Sequence, residues 1–228
     1  MDYIIKKFDT VSSTNDIAKE QAENGAAEGT VIIADAQEKG RGRLGRSFLS
    51  PNGGLYMSVI LRPESFEAAV SITTKAAVAA ALAIEKCIGE DVSIKWVNDI
   101  YYKNKKVCGI LTESVFEVEK PKYAVWGIGV NLKTAPQELS DIAGGIGDVD
   151  RDILAKCILD EFFGGTHSVF DEYSKRDMLK GKTVTVFRSG KAQYSALASE
   201  ITANFGLKLI KDNGTEEILQ SGEVSVRL

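Results

Sequence analysis

The chain has 228 residues, of which 44% are hydrophobic and 26% charged, and its formal net charge is −4 at pH 7. This composition is typical of a soluble globular protein with one large domain, or with one large and one small domain. The mildly acidic balance argues against a general nucleic-acid binder, so any ligand of nucleic-acid character is expected to be small.

Cysteine and histidine are scarce. The three cysteines, Cys87, Cys108 and Cys157, form no Cys-x-x-Cys pair, which argues against both a disulfide framework and a zinc site. With His167 as the one histidine, a Ser-His-Asp triad is poorly supported, and we interpret His167 as structural. Catalysis is therefore expected to use lysine, arginine, aspartate and backbone amides, with no resident metal.

The amino-terminal residues and the most apolar segment both indicate a cytoplasmic location. Charged residues such as Lys6 and Lys7 interrupt the first ten positions, so no secretory signal peptide is visible. The alanine-rich run over residues 68–88 contains Lys75, Glu85 and Lys86, and it predicts a buried helix rather than a membrane span. No membrane partner is expected.

Strands and helices alternate along the first two thirds of the chain. Three polar residues, Ser13, Thr14 and Asn15, precede a helix predicted from about residue 17; they suit N-capping, but three exceed the need of one cap and could also bind a polar ligand. The other predicted elements are strands at residues 3–8, 29–36, 55–61, 92–96, 106–118 and 123–132, a helix ending near Gly89, and helices at 150–163 and 168–178.

The last 50 residues have a different texture. Short alternating strands are predicted at residues 183–187, 193–201, 207–210, 217–219 and 223–227, separated by glycine turns. This pattern predicts a compact β module, most simply a small barrel.

A loop at residues 40–46 alternates glycine with arginine in the order Gly40-Arg41-Gly42-Arg43-Leu44-Gly45-Arg46. Glycine lets a backbone come close to a ligand, and each guanidinium offers a planar fork of donors to a carboxylate or phosphate. We call this segment the arginine–glycine loop. A solvated basic loop is the alternative interpretation, but its position between two buried strands favours an anion site.

Charged residues and glycines also border the strands that follow. Lys95, Asp99 and Lys106 flank segments that are otherwise buried, so each needs a charged partner or a ligand. Gly127 and Gly129 lie inside a predicted strand, where glycine indicates close approach by another backbone or a ligand.

Six segments in a fixed order carry a resemblance to a known family. They are Ser13-Thr14-Asn15, Gln37 with the arginine–glycine loop, Lys95-Trp96 with Asn98-Asp99, Gly109-Ile110-Leu111 with Glu113, Gly127-Ile128-Gly129 with Asn131, and Ser221-Gly222-Glu223-Val224. Together with the carboxyl-terminal β module, they resemble the biotin protein ligase family over most of the chain.

The resemblance implies a fold and a reaction. The implied fold is α/β (α+β): a mixed central sheet with flanking helices, similar to the class II aminoacyl-tRNA synthetase catalytic fold, followed by an SH3-like barrel. The implied domains are a catalytic domain at residues 1–179 and the barrel at 180–228. The implied reaction uses biotin and ATP, with Mg²⁺ bound to the nucleotide, to make biotinyl-5'-AMP, and then biotinylates a lysine of a biotin carboxyl carrier protein.

The resemblance also implies roles for individual residues. The implied catalytic residues are Arg43, Lys95, Lys106 and Asp99, with Asp99 an orienter or proton acceptor. The implied biotin-binding residues are Ser13, Thr14, Asn15, Gln37, Gly40, Arg41, Gly42, Arg43, Lys106, Gly109, Leu111, Gly127 and Gly129, of which Ser13, Thr14 and Gln37 would bind the ureido head. The implied nucleotide-binding residues are Arg43, Arg46, Phe48 and Asn131.

Two positions depart from the family pattern. Phe48 stands where family members commonly have tryptophan, so it keeps an aromatic face but lacks the indole donor. Val97 replaces a common proline, and we expect little change.

Other functions remain open. A lipoate–protein ligase shares the implied fold and the acyl-adenylate chemistry, and a biotin- or nucleotide-sensing binding protein would lack turnover. The family motifs begin at about residue 13, so we expect no preceding DNA-binding domain and no DNA binding. A homodimer remains open, and the arginine–glycine loop is expected to be disordered without ligand.

Overall fold

Two β-sheets organise the computed structural model, which describes residues 3–118, 120–133, 141–220 and 224–227. The first sheet has seven strands in the order β1-β2-β3-β7-β6-β5-β4, and the second has five in the order β11-β10-β9-β8-β12. The strands are β1 (Ile4–Val11), β2 (Thr30–Gln37), β3 (Leu55–Leu61), β4 (Ser93–Lys95), β5 (Asp99–Tyr102), β6 (Lys105–Glu117), β7 (Lys120–Val130), β8 (Thr183–Arg188), β9 (Lys191–Ile201), β10 (Leu207–Ile210), β11 (Glu216–Leu219) and β12 (Val224–Arg227).

The seven-stranded sheet is mixed. β1 and β2 run parallel and are joined by helix α1 (Thr14–Glu23), whereas the remaining neighbours pair antiparallel. Every residue of β3 is buried, because this central strand is covered on both faces. The predicted fold class, a mixed α/β sheet followed by a β module, is confirmed.

Helix α2 (Phe66–Ile88) packs along one face of this sheet with α3 (Arg151–Gly164). Ser65 caps its first turn by accepting a hydrogen bond from the Ala68 amide at 3.1 Å, and Gly89 ends it in the left-handed conformation. α2 has the length and apolar composition of a membrane-spanning helix, but 61% of its most apolar window is buried inside the protein. This burial accounts for its composition.

The two sheets are joined through the last short helix, α4 (Val169–Lys175), and the segment after it. The Ile94 amide donates to the Arg176 carbonyl at 2.7 Å, and the Met178 amide donates to the Ile94 carbonyl at 3.1 Å. Phe205, in a turn of the second sheet, packs edge-on against Tyr173 at a centroid distance of 5.6 Å. The carboxyl-terminal module therefore contacts α4 through Phe205, and the segment after α4 pairs with β4.

Apart from shifts of up to three residues at strand ends, three local differences separate the sequence prediction from the structure. α1 begins at Thr14 because Ser13 takes the N-cap position, so Thr14 and Asn15 belong to the first turn. α4 stops at Lys175, short of the predicted residue 178, because the next residues leave the helix to pair with Ile94. The strand β5 was missed.

Only part of the last family motif, residues 221–224, falls within the described residues. Residues 221–223 lie outside the described residues, and Val224 is described as the first residue of β12.

Candidate active site

A cavity of about 860 Å³ opens where the arginine–glycine loop lies across the seven-stranded sheet. Of the residues assigned to the site from sequence, all except Gly40 line it. They are Ser13, Thr14, Asn15, Gln37, Arg41, Gly42, Arg43, Arg46, Phe48, Lys95, Asp99, Lys106, Gly109, Leu111, Gly127, Gly129 and Asn131. Gly40 is buried at the base of the loop, where an added Cβ would lie 2.4 Å from the Phe48 carbonyl oxygen.

One end of the cavity is a network of polar side chains. The Gln37 Oε1 atom accepts hydrogen bonds from the Thr14 amide at 2.8 Å and the Thr14 hydroxyl at 3.1 Å. Gln37 Nε2 donates to Ser50 Oγ at 2.9 Å. Ser13 is buried at the N-cap of α1 but makes no capping hydrogen bond with its side chain. Thr14 and Gln37 are therefore fixed before any ligand arrives.

Asn15 extends this network to Ser58 on β3 and Glu113 on β6. Its Oδ1 atom lies 2.7 Å from the buried Ser58 hydroxyl, and its Nδ2 donates to Glu113 Oε2 at 2.7 Å. Gly127 makes room for it, since an added Cβ would lie 2.0 Å from Asn15 Oδ1. The absence of a side chain at Gly127 thus lets the Asn15 side chain form part of the cavity wall.

The arginine–glycine loop folds back as an irregular hairpin. Arg41 forms a β-bridge with Ser47, and the Phe48 amide donates to the Gly40 carbonyl at 2.8 Å. A short 3-10 helix, Arg43–Gly45, forms its tip. The hairpin brings Arg41 and Arg43 to opposite sides of the cavity.

Arg41 contacts α1. Its guanidinium donates to both carboxylate oxygens of Asp16, each at 2.6 Å, and approaches Glu113 Oε2 at 3.5 Å. The hydrogen bond from Arg41 lowers the pKa of Asp16 despite its partial burial. Burial alone would raise the pKa of Glu113, but hydrogen bonds from Lys19 and Asn15 and the nearby cations outweigh burial and lower it. Both carboxylates are therefore ionised at neutral pH.

Arg43 lies on the other side, at the turn between β4 and β5. Its Nη1 donates to Asn98 Oδ1 at 3.2 Å, and Asn98 Nδ2 donates to the Ile110 carbonyl at 2.7 Å. Burial lowers the pKa of Arg43, and the charge of Asp99 opposes that shift. A half-buried guanidinium at this position would gain from an anionic ligand.

Lys106 and Asp99 form an ion pair at the same end, with 2.7 Å between Nζ and Oδ1. Both side chains are about three-quarters buried. Lys95 Nζ lies 5.7 Å from the centre of the Tyr101 ring. The cationic residues Arg43, Lys95 and Lys106 therefore converge on one end of the cavity. The carboxylate of Asp99 lies at the same end, paired with Lys106.

Phe48 projects from the loop onto the sheet. An added Cβ at Gly129 would lie 2.4 Å from its ring, and one at Gly109 would lie 3.1 Å away. The ring also meets Tyr56 edge-on, at a centroid distance of 6.5 Å. Gly109 on β6 and Gly129 on β7 thus leave a flat surface on the sheet, and the Phe48 ring packs against it.

Some residues that build the site were not identified from sequence. Ser58 had a visible signal, because it is the one small polar residue in the otherwise apolar strand β3. Asp16 had none, because its partner Arg41 lies 25 residues away, and Tyr101 had none, because its strand β5 was not predicted. Trp96 belongs to the third of the six motif segments, but the sequence assigned it no role. In the structure its Nε1 donates a hydrogen bond to the Phe205 carbonyl at 2.9 Å. The peptide bond between Trp96 and Val97 is cis.

Comparison with known proteins identifies the family of this chain. The sequence model of the biotin/lipoate A/B protein ligase family matches residues 7–131, which include all but the last of the six motif segments. The chain belongs to this family. The resemblance inferred from the motifs is confirmed at this level.

Individual relatives agree with the family assignment. The bifunctional ligase/repressor BirA of Bacillus spizizenii is 43% identical over 141 residues, covering 59% of this chain and 43% of the relative. The chain therefore spans less than half the length of that relative. The biotin–[acetyl-CoA-carboxylase] ligase of Mycobacterium tuberculosis is 26% identical over 239 residues, covering 94% of this chain and 85% of the relative.

Solved structures agree along the whole chain. A variant of the biotin protein ligase from Aquifex aeolicus in complex with biotin superposes with a TM-score of 0.85 at 28% identity, covering 100% of this chain and 99% of the other. A structure of that ligase with biotin and ATP gives a TM-score of 0.77 at 26% identity, with 98% of both chains covered.

Proposed function

We propose that the chain is a biotin protein ligase, which activates biotin with MgATP and transfers it to a lysine of a biotin carboxyl carrier protein. The observation that carries the proposal is one cavity with a hydrogen-bonding end at Thr14 and Gln37 and a cationic end at Arg43 and Lys106. Biotin has a ureido head and a carboxylate tail, and this cavity offers matching groups for both. The names of the relatives and the ligands of the Aquifex structures support biotin and ATP as substrates.

The first step joins two anions. A carboxylate oxygen of biotin attacks the α-phosphorus of ATP, and the bond to pyrophosphate breaks to leave biotinyl-5'-AMP. At an effective dielectric constant near 20, two unit charges about 4 Å apart repel by roughly 4 kcal/mol. We assign Lys106 to the carboxylate and the α-phosphate, and Arg43 to the phosphates, because their cations offset this repulsion. Holding both substrates in one cavity adds the gain from proximity.

The second step transfers the acyl group. The acceptor lysine attacks the acyl carbon as a neutral amine, the bond to the phosphate oxygen breaks, and AMP leaves. The amine must lose a proton, and we assign its acceptance or the orientation of the amine to Asp99, which lies beside Lys106. No enzyme nucleophile is needed, which suits a site of cations and amides.

The remaining assignments follow the two ends of the cavity. We place the ureido head against Ser13, Thr14 and Gln37, with Asn15 and the glycines shaping the wall around it. We place the adenine against Phe48 and Asn131. Lys95 and Arg46 would add positive charge near the phosphates.

The expected partner and location follow from the same reaction. We propose a biotin carboxyl carrier protein as partner, without DNA or membrane, and leave a homodimer open. We also propose the cytoplasm, where ATP is supplied and where free thiols such as Cys87 and Cys157 stay reduced.

The test is exchange of labelled pyrophosphate into ATP, run with biotin, lipoate or octanoate as the acid. Exchange with biotin alone is the expected result. Exchange with lipoate or octanoate instead would assign the chain to the other branch of its family. If no acid supports exchange, while purified chain still binds biotin, the proposal of an enzyme is overturned in favour of a binding protein.

A further inference from the structure

We propose that Asp16 is a positioning residue that holds the arginine–glycine loop over the cavity by binding Arg41, and that it thereby slows escape of the acyl-adenylate. The first half of this proposal concerns the ligand-free chain, where it replaces the sequence-based expectation of a disordered arginine–glycine loop. The second half rests on the proposed ligase function.

The contact between Asp16 and Arg41 is bidentate. Two parallel hydrogen bonds of 2.6 Å join the guanidinium to the carboxylate, which is the strongest arrangement available to this pair of groups. Both side chains keep about a third of their surface exposed, so water weakens the pair but does not dominate it. A bidentate contact from α1 thus reaches the first arginine of the loop.

The groups around this contact favour it. Glu113 lies 3.5 Å from the same guanidinium, and Lys19 binds Glu113 at 2.8 Å and Asp16 at 3.4 Å. Two carboxylates and two cations therefore balance within one cluster. Asn15, adjacent to Asp16, is bound to Ser58 and Glu113, so the anchor stands on a fixed part of α1.

The loop needs anchors because its own conformation is unfavourable. Leu44, at the tip, has φ of 58° and ψ of 35°, a region that costs a non-glycine residue on the order of 1 kcal/mol. Its side chain is about half exposed, so packing offsets little of that cost. Arg41 fastens one side of the loop to α1, and Arg43 fastens the other side to Asn98. Asp16 therefore tethers the loop on the α1 side of the cavity, across from the contact between Arg43 and Asn98.

A different role for Asp16 is its position in the first turn of α1, where any acid stabilises a helix. The chain offers a matched control for that role. Asp152 also lies in the first turn of a helix, α3, and also pairs with a lysine, Lys7, at 2.6 Å. It does not line the cavity. Asp16→Asn and Asp152→Asn remove the same helix-terminal charge, but only the first weakens the loop anchor.

The first measurement uses the ligand-free chain and a protease of broad specificity, with cleavage inside residues 40–46 quantified by mass spectrometry. Asp16→Asn is expected to speed this cleavage about tenfold, the effect of losing a charge-assisted hydrogen bond at a partly exposed site. Asp152→Asn should leave it unchanged. Equal cleavage of Asp16→Asn and the unsubstituted chain would overturn the anchor.

The second measurement is release of labelled biotinyl-5'-AMP without carrier protein. Asp16→Asn should raise the release rate several-fold while pyrophosphate exchange continues, and the charge exchange Asp16→Arg with Arg41→Asp should restore part of the retention. Faster release without recovery in the charge-exchanged chain would overturn the role of the pair. If the unsubstituted chain makes no adenylate, the proposed function fails, and the protease measurement still decides the anchor.

Discussion

Gly127 shows how a single hydrogen atom in place of a side chain shapes the cavity. Asn15 occupies the space that a Cβ would need, and it is held there by Ser58 and Glu113. Any larger residue at position 127 must displace Asn15 and break these buried hydrogen bonds. The residue is small because the wall of the cavity is already filled from the other side.

We therefore predict that Gly127→Ala destabilises the chain by about 1–3 kcal/mol, the usual cost of overpacking, and abolishes pyrophosphate exchange. Gly164→Ala is the control, because nothing lies within 4 Å of an added Cβ at that helical position. Chemical unfolding and the exchange assay give the two readouts. Full activity in Gly127→Ala would show that Asn15 can move without cost.

Arg43 is the residue whose loss should affect the intermediate most directly. Its guanidinium is half-buried, donates a hydrogen bond to Asn98, and belongs to the cationic end of the cavity. We predict that Arg43→Gly releases biotinyl-5'-AMP at least about tenfold faster, because one charge-assisted contact to a phosphate is worth about 1.4 kcal/mol or more. Labelling of lysines on a bystander protein would report the leak. Release at the original rate would contradict the role assigned to Arg43.

At this scale the sequence was informative wherever chemistry requires a residue type. Arg43, Lys106 and Gln37 were predictable from their motif, and the structure brings them to one cavity. Asp16 was not predictable, because its position in a helix explains an acid there and its partner is 25 residues away. Pairing across the fold is what a single sequence does not display.

The turn between β4 and β5 is the element that connects the cavity to the rest of the fold. The Phe205 carbonyl binds Trp96 at 2.9 Å, and the buried Tyr173 hydroxyl donates to the Val97 carbonyl at 3.0 Å. The following residue, Asn98, then holds Arg43. The position of a cavity arginine thus depends on α4 and on a turn of the second sheet.

We predict that Trp96→Phe weakens this connection, since it keeps an aromatic ring but removes the indole donor and leaves the Phe205 carbonyl without that hydrogen bond. The expected results are a loss of about 1 kcal/mol in stability and a KM for ATP raised several-fold, with a smaller change in kcat. Trp126→Phe is the matched control: Trp126 is fully buried, and among the described residues its Nε1 has no hydrogen-bond partner. An unchanged KM in Trp96→Phe would contradict the prediction.

Elements with a clear apolar period were predicted well, and those defined by tertiary pairing were not. β3 is a mainly apolar run that the structure buries at every residue, and α2 is bounded by the capping residues Ser65 and Gly89. β5 has four residues and begins with the charged Asp99, and it exists because Ile100 pairs with Ile94 and Cys108 on either side. α4 likewise ends where pairing with Ile94 begins.

At the scale of the whole molecule, Asp177 sits where the two sheets are joined. Its Oδ1 accepts from the Leu179 amide at 2.9 Å, whereas Oδ2 is buried with no hydrogen-bond partner among the described residues. Burial raises the pKa of Asp177, and the Leu179 amide and the charges of Lys180 and Lys182 only partly oppose that shift. The junction therefore favours the protonated carboxyl.

The raised pKa of Asp177 in the folded state determines whether stability rises or falls with pH. The unfolded chain loses the Asp177 proton at lower pH than the folded chain, so stability falls as pH rises from the ordinary aspartate pKa through the raised one. Asp177→Asn keeps an acceptor for Leu179 and removes the charge. We predict that its Tm exceeds that of the unsubstituted chain by roughly 2 °C or more at pH 7 and matches it near pH 3, where both side chains are neutral.

Asp212→Asn, in an exposed turn of the second sheet, is the control for a general charge effect. Thermal unfolding of the three chains at both pH values gives the comparison. A Tm gain that is the same at pH 3 and pH 7 would show that the carboxylate charge is not its cause.

The hydrogen bond between Trp96 and Phe205 also sets an order in time. The two residues are 109 positions apart, and a ribosome adds about 5–20 residues per second. Trp96 therefore leaves the ribosome several seconds before its partner exists. During that interval the nascent chain already carries the arginine–glycine loop, Lys95, Lys106 and the glycines of β7, but not the turn that holds the cavity wall in place. The turn that carries Phe205 is made after every described residue that lines the cavity, so we expect the Trp96 side of the cavity to reach its final position only once that turn has folded.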